Sequence, residues 1–133
     1  MIKINQQKEP VGLSYKMDNL NRDVFLDQVH DSILETIKKN SDSYLCNMSI
    51  DHFSSKGKML RPTFVMELAI SLGLDLKDVL DWATACEILH NATLVHDDLQ
   101  DGDEIRRGVP TIWKKYGKAN AINVGDFLLI ISS

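Results

Sequence analysis

A helical spacing of apolar residues, repeated along most of the chain, constrains the fold most strongly. From Asp18 onward, the apolar residues recur at intervals of three and four with charged residues between them, at Leu26, Val29, Ile33 and Ile37. This is the pattern of an amphipathic helix. Similar spacing predicts further helices at 42–53, 62–72, 75–101, 111–116 and from 118 onward. No alternation with period two extends over a useful length, so the sequence predicts an all-α fold.

The chain has 133 residues, enough for one domain. Residues 1–17 are polar and predict a flexible N-terminal arm, which leaves 18–133 as a helical domain. The net charge of −4 argues against a nucleic-acid partner, which requires a basic face. Two cysteines without metal-type spacing indicate free thiols in a reducing compartment. No signal peptide is visible and the apolar run at 127–131 is too short to span a membrane, so we expect a cytoplasmic protein.

The helix predicted at 75–101 presents a row of chemically distinctive side chains. At about 100° per residue, one face carries a set spaced by three and four: Glu87, His90, Leu94, Asp97 and Asp101. The last two carboxylates lie about 6 Å apart along the helix axis, with Asp98 beside them. Carboxylates at a helix C-terminus, where the macrodipole is also negative, favour a hard cation such as Mg²⁺. The alternative is a solvated acidic helix end.

Basic residues flank this acidic face. Arg106 and Arg107 follow the aspartates within one short segment, and Lys58 and Arg61 stand at the start of the proline-led helix. Guanidinium groups and a helix N-terminus both bind phosphate oxygens, so the pattern indicates a diphosphate site. His90 lies about 10 Å along the helix from Asp97, at ~1.5 Å per residue. The alternatives are a solvated basic loop and a histidine that serves only the core.

Three segments together resemble one family. The string HNATLVHDDLQDGDEIRRGVPT at 90–111 resembles the first aspartate-rich region of the (E)-polyprenyl diphosphate synthases. KGKMLRP at 56–62 resembles their upstream Gly-Lys-x-x-Arg-Pro motif, and KYGKANAINVGDFLL at 115–129 resembles the helix that follows. The resemblance implies the N-terminal portion of the isoprenoid synthase helical bundle, with mostly antiparallel helices. It also implies a homodimer or a complementary C-terminal half chain as partner.

The resemblance further implies a prenyltransferase that condenses isopentenyl diphosphate with an allylic diphosphate, with Mg²⁺ as cofactor. It assigns the diphosphate of isopentenyl diphosphate to four residues, Lys58, Arg61, His90 and Arg107. It assigns the allylic diphosphate and the catalytic role to four others, Asp97, Asp98, Asp101 and Arg106. In this second group, Asp97 and Asp101 are the implied Mg²⁺ ligands. The small residues Ala92 and Thr93 match the floor of the product cavity, which favours a product longer than fifteen carbons.

The sequence departs from the family in length. Members are more than twice as long and carry a second aspartate-rich motif, which these residues lack. We therefore expect a piece of a longer enzyme or a half that needs a complementary part. A third possibility is a remnant that acts as a non-catalytic regulatory or binding subunit. A remote alternative is an HD-type metal phosphohydrolase built on His96 and Asp97, with His52 and Asp126 as further ligands.

Overall fold

The computed structural model describes residues 11–55 and 57–133, with side chains from residue 21 onward. Six helices follow along these residues: α1 (Val11–Asn40), α2 (Tyr44–Phe53), α3 (Leu60–Ser71), α4 (Leu76–Asp101), α5 (Ile112–Tyr116) and α6 (Lys118–Ile131). Between α4 and α5 lies an antiparallel hairpin of β1 (Ile105–Arg106) and β2 (Val109–Pro110). The predicted helical fold is confirmed, and the segment between the helices predicted at 75–101 and 111–116, for which no element was predicted, forms this hairpin. In the described part of the chain, every helix is too short or too polar to cross a bilayer.

The N-terminal boundary differs from the prediction. α1 begins at Val11, not at Asp18, so the helix starts earlier than the apolar spacing predicts, while the flexible arm over 1–17 stays a prediction. Residues 1–10 lie outside the described residues. The sequence places Pro10 directly before the helix, and proline suits a helix start because the first turn leaves its N–H groups unbonded. The polar composition of this segment therefore did not prevent helix formation.

The core forms around the apolar stripe of α1. Val29, Ile33 and Ile37 are each at most 1% exposed, as the helical spacing predicts. Phe25 is also 1% exposed and takes the core position that the prediction gave to Leu26, which is only partly buried. Position 25 precedes Val29 by one four-residue step, so its side chain points along the same face. Full burial of such a side chain contributes about 1.5–3 kcal/mol.

Helix α4 lies at the centre of the packing and contacts α6, α3 and α1. It begins where predicted, since the Asp75 side chain caps it by accepting from the Lys77 N–H. It ends where predicted, at Gly102, whose φ of 71° is the left-handed conformation that glycine adopts without strain. Its core face carries Ile88 and other small or apolar residues. Within the predicted functional row, Glu87 is buried, whereas His90, Asp97 and Asp101 are exposed or partly exposed and can line a site.

Candidate functional site

A cavity of about 480 Å³ lies between the start of α3, the middle of α4 and the hairpin. Its lining includes every substrate-binding residue predicted from the sequence: Lys58, Arg61, His90, Arg106 and Arg107. These residues come from three separate segments, and the fold brings the whole set together. Four permanent cations and one imidazole around a single opening suit a polyanionic ligand with several phosphate oxygens.

Arg106 is held in this cavity by Asp98. Its Nε donates to one oxygen of Asp98 at 2.8 Å and its Nη2 donates to the other at 2.7 Å. The Asp98 side chain is 4% exposed and that of Arg106 is 28% exposed. These hydrogen bonds raise the pKa of Arg106 above its ordinary value. Both oxygens of Asp98 are thus occupied by a guanidinium, so this carboxylate orients Arg106. Its predicted catalytic role stays a prediction.

The other two aspartates of the motif are placed differently. Asp97 and Asp101 are exposed one turn apart at the end of α4. Neither carboxylate makes a hydrogen bond or ion pair with another described residue, which leaves both available to a cation. Two carboxylates fit Mg²⁺, which takes one or two and keeps its remaining positions for water and phosphate. The described residues contain no cluster of three or more potential metal ligands.

His90 is close enough to the arginines of the cavity and to Asp97 that both kinds of charge affect its imidazole. Burial lowers the pKa of its imidazole, and the positive charges of Arg61, Arg107 and Arg106 lower it further, while Asp97 acts in the opposite direction. The free site therefore holds a neutral imidazole near neutral pH. A bound anion would favour the charged form of His90, because it would offset the neighbouring guanidinium groups.

Arg107 lies at the tip of the hairpin and reaches back to the loop before α3. It adopts a φ of 52°, and Gly108 follows with a φ of 79°, which together give the tight turn between the strands. Its Nη1 donates to the Ser55 carbonyl at 3.0 Å. A Cβ on Gly57 would lie 2.6 Å from the Cζ of Arg107. A side chain at position 57 would therefore displace the guanidinium of Arg107 from its present position. The φ of Gly57 is outside the left-handed region, so this close approach, and not backbone strain, favours glycine here.

Beneath the cavity runs a polar network that the sequence reasoning missed. His52 of α2 and the Asn91 Oδ1 are joined by a 2.9 Å hydrogen bond, and the Asn91 Nδ2 donates to the Glu87 Oε1 at 3.1 Å. Since the Asn91 oxygen accepts, His52 donates from its Nε2. Burial lowers the pKa of His52 to about 4, so the ring is neutral. The four-residue spacing of Glu87 and Asn91 is visible in the sequence, whereas the contact with His52 is not.

A second, more apolar groove of about 660 Å³ lies between α3 and α4. Thr93 lines it together with Leu89, Cys86 and Phe64. Ala92 does not, because it is fully buried in the core. Of the two small residues predicted to floor a product cavity, only Thr93 thus faces open space. The small size of Ala92 serves helix packing.

The residues named for the HD-type alternative do not come together as ligands. His96 of α4 contacts α6, where its Nε2 lies 3.4 Å from both the Ile122 carbonyl oxygen and an Asp126 oxygen. His52 is engaged with Asn91 in the separate network. The described residues therefore form no metal cluster of the kind that a phosphohydrolase would need.

The helical fold with this charged cavity is that of the isoprenoid synthases. The polyprenyl synthetase family model matches residues 42–133, and the chain belongs to that family. It is 49% identical to a geranylgeranyl diphosphate synthase of Methanosarcina mazei over 72 residues, which is 54% of this chain and 22% of that protein.

Two solved structures are also similar. The geranylgeranyl pyrophosphate synthetase of Geoglobus acetivorans has a TM-score of 0.73 at 38% identity, covering 78% of this chain and 34% of its own. A polyprenyl synthase of Caulobacter crescentus, complexed with calcium and isoprenyl diphosphate, has a TM-score of 0.76 at 31% identity, covering 83% of this chain and 33% of its own. The chain thus spans about a third or less of the length of these relatives.

Proposed function

We propose that this chain forms one wall of an (E)-polyprenyl diphosphate synthase site, where isopentenyl diphosphate is condensed with an allylic diphosphate. The observation that carries the proposal is the cavity in which the predicted basic residues converge beside the free carboxylates of Asp97 and Asp101. The Caulobacter crescentus relative, which is bound to isoprenyl diphosphate and calcium, supports the same substrate class and a divalent cation.

Each group of residues has a distinct role in this proposal. Lys58, Arg61, His90 and Arg107 bind the diphosphate of isopentenyl diphosphate through charge-assisted hydrogen bonds. Arg106, already oriented by its bidentate pair with a buried carboxylate, faces the allylic diphosphate and stabilises the charge that develops as it departs. Held by Asp97 and Asp101, Mg²⁺ would neutralise the leaving diphosphate as a Lewis acid. The allylic cation is then attacked by the double bond of isopentenyl diphosphate, and loss of a proton completes the longer chain.

We further propose that a complementary part completes this wall, either as a C-terminal half chain or in a homodimer. Several large apolar side chains on α3 are exposed, among them Phe64 at 69% and Leu60 at 65%. Exposed apolar surface of this kind favours an interface. The same observation favours a second candidate function, a non-catalytic binding or regulatory subunit. We place the protein in the cytoplasm, which is supported by two free thiols, Cys46 and Cys86.

The test is a prenyltransferase assay of the purified chain with Mg²⁺, isopentenyl diphosphate and an allylic diphosphate, with products read by mass spectrometry. The chain is assayed alone and mixed with the separately expressed C-terminal part of the Methanosarcina mazei relative. Prenyl product in either sample supports the synthase, provided that Asp97→Ala abolishes it. Asp81→Ala, an exposed carboxylate on the same helix outside the cavity, is the matched control and keeps the product yield. Absence of product in both samples contradicts the proposal and favours the binding subunit.

A further inference from the structure

Glu87 has an unpaired carboxylate oxygen in the wall of the basic cavity. The residue is 4% exposed, and its Oε2 has no hydrogen-bond partner among the described residues. It lines the same cavity as the predicted substrate-binding residues. A buried, unsatisfied charged oxygen is costly unless another state of the molecule provides a partner. The role of this oxygen in a site built for anions therefore requires an explanation.

The orientation of Glu87 is fixed from below. Its Oε1 accepts from the Asn91 Nδ2 at 3.1 Å, and that same nitrogen donates to the Glu87 backbone carbonyl at 2.8 Å. The Asn91 amide is itself oriented by the hydrogen bond between its oxygen and His52. The network thus uses one carboxylate oxygen and leaves Oε2 for a donor from the cavity. A neutral His52 adds no charge to the network that would compete for Glu87.

The donors in the cavity differ in availability. Arg106 is committed to Asp98, and Arg107 donates to the Ser55 carbonyl. Lys58 and Arg61 are exposed and make no hydrogen bond or ion pair with another described residue. Arg61 is the stronger candidate, because it also lines the groove between α3 and α4 beside His90, which follows Glu87 by about one helical turn. Lys58 instead lines a further cavity on the side of α1. Its planar guanidinium has five N–H groups and can bind two acceptors on different edges.

We infer that Glu87 is a positioning residue that accepts a hydrogen bond from Arg61 and fixes its guanidinium for binding diphosphate. This inference rests on the proposed function of the cavity. One edge of the Arg61 guanidinium binds the Glu87 Oε2 while another edge binds phosphate oxygens. This hydrogen bond forms in the diphosphate-bound state, where the carboxylate gains a partner and limits the rotamers of a long, otherwise exposed side chain.

The direction in which Glu87→Gln changes the affinity for diphosphate distinguishes a positioning role from a purely electrostatic one. Glu87 is a negative charge in an anion site, so its neutralisation alone would strengthen the binding of diphosphate. If Glu87 positions Arg61, the substitution Glu87→Gln instead weakens binding, because the amide then presents its NH2 group to the guanidinium and cannot accept a hydrogen bond from it. The Gln side chain still accepts the Asn91 hydrogen bond through its Oε1. The fold therefore tolerates the substitution.

The experiment measures the dissociation constant of inorganic diphosphate by calorimetry, without divalent cations, for the chain as it exists. We expect Glu87→Gln to weaken binding about tenfold, the loss of one charge-assisted hydrogen bond. In an Arg61→Gln background the same substitution has no weakening effect, since the partner is gone. Asp81→Asn, a neutralised carboxylate on α4 outside the cavity, is the matched control and changes binding less than twofold.

Each outcome decides between the hypotheses. Unchanged or tighter binding by Glu87→Gln, with normal binding by the wild-type chain, overturns the positioning role and leaves the proposed function intact. Equal weakening in the wild-type and Arg61→Gln backgrounds also overturns it, because the effect then does not pass through Arg61. Failure of the wild-type chain to bind diphosphate overturns both proposals. Circular dichroism of each variant confirms that a loss of binding is not a loss of fold.

Discussion

The three aspartates of the motif lie within five residues of one another, and the structure predicts opposite effects on stability when each is changed to asparagine. Asp98 is buried and paired with Arg106 through two hydrogen bonds. In Asp98→Asn the amide nitrogen would face an N–H donor of the guanidinium, so at least one of the two bonds is lost and the cation loses its counter-charge. Asp97 and Asp101 are exposed and have no such partner among the described residues.

The magnitudes follow from burial. Removal of one member of a buried ion pair costs about 3–5 kcal/mol, and we reduce this to about 2–3 kcal/mol because water reaches the guanidinium. The reduction reflects the 28% exposure of the Arg106 side chain. By contrast, Asp97→Asn and Asp101→Asn remove negative charge from a helix C-terminus, which stabilises the fold by about 0.3–1 kcal/mol.

The assay is urea unfolding near neutral pH in the presence of a chelator. At an m-value of about 1–3 kcal/mol/M, Asp98→Asn lowers the midpoint by about 0.7–3 M, whereas the other two variants raise it slightly. The control is the double variant Asp98→Asn with Arg106→Gln. Its cost should be smaller than the sum of the two single costs, because no unpaired charge remains. A midpoint for Asp98→Asn equal to that of Asp97→Asn would refute the reasoning.

Three further predictions concern histidine protonation and the loop contact. The pKa of His90 is lowered in the free site and rises when an anion binds, so protonation of His90 should strengthen the binding of inorganic diphosphate as pH falls. Diphosphate itself titrates near neutral pH, so calorimetry compares the wild type with His90→Gln at each pH, and the ratio of their affinities should rise as pH falls. His52 has a pKa of about 4 when folded against 6.5 in the unfolded chain, so its contribution to stability is complete above pH 6.5 and is lost as pH falls toward 4. Acid unfolding measures this loss: relative to His52→Gln, the free energy of unfolding of the wild type should fall by up to about 3 kcal/mol across that pH window. Gly57→Ala should displace the Arg107 guanidinium and weaken diphosphate binding by about tenfold, as measured by calorimetry. The control is Gly102→Asn, where a Cβ meets no other atom, and it should leave diphosphate binding unchanged.

Features that depend on neighbours in the chain were predictable from the sequence. The spacing of apolar residues gave the helices, and Asp75 and Gly102 marked the ends of α4, because caps and turns act within a few residues. The start of α1 was misjudged, since its first two turns lack a clear apolar period and polar composition alone does not exclude a helix. The family motifs gave the candidate site residues, and the cavity contains all five of the predicted substrate-binding residues.

The tertiary structure decided how these residues are used. The sequence placed Asp98 with Asp97 and Asp101, whereas the hairpin folds Arg106 back onto Asp98 and separates it from the exposed pair. The contact of Arg107 with Ser55 spans 52 residues, and that of His52 with Asn91 spans 39. Contacts across such distances depend on how helices pack and where loops cross, which no local pattern records. The sequence by itself therefore determined the helices and suggested the proposed kind of ligand, while only the packing determined which carboxylates are left without a partner among the described residues and which one orients an arginine.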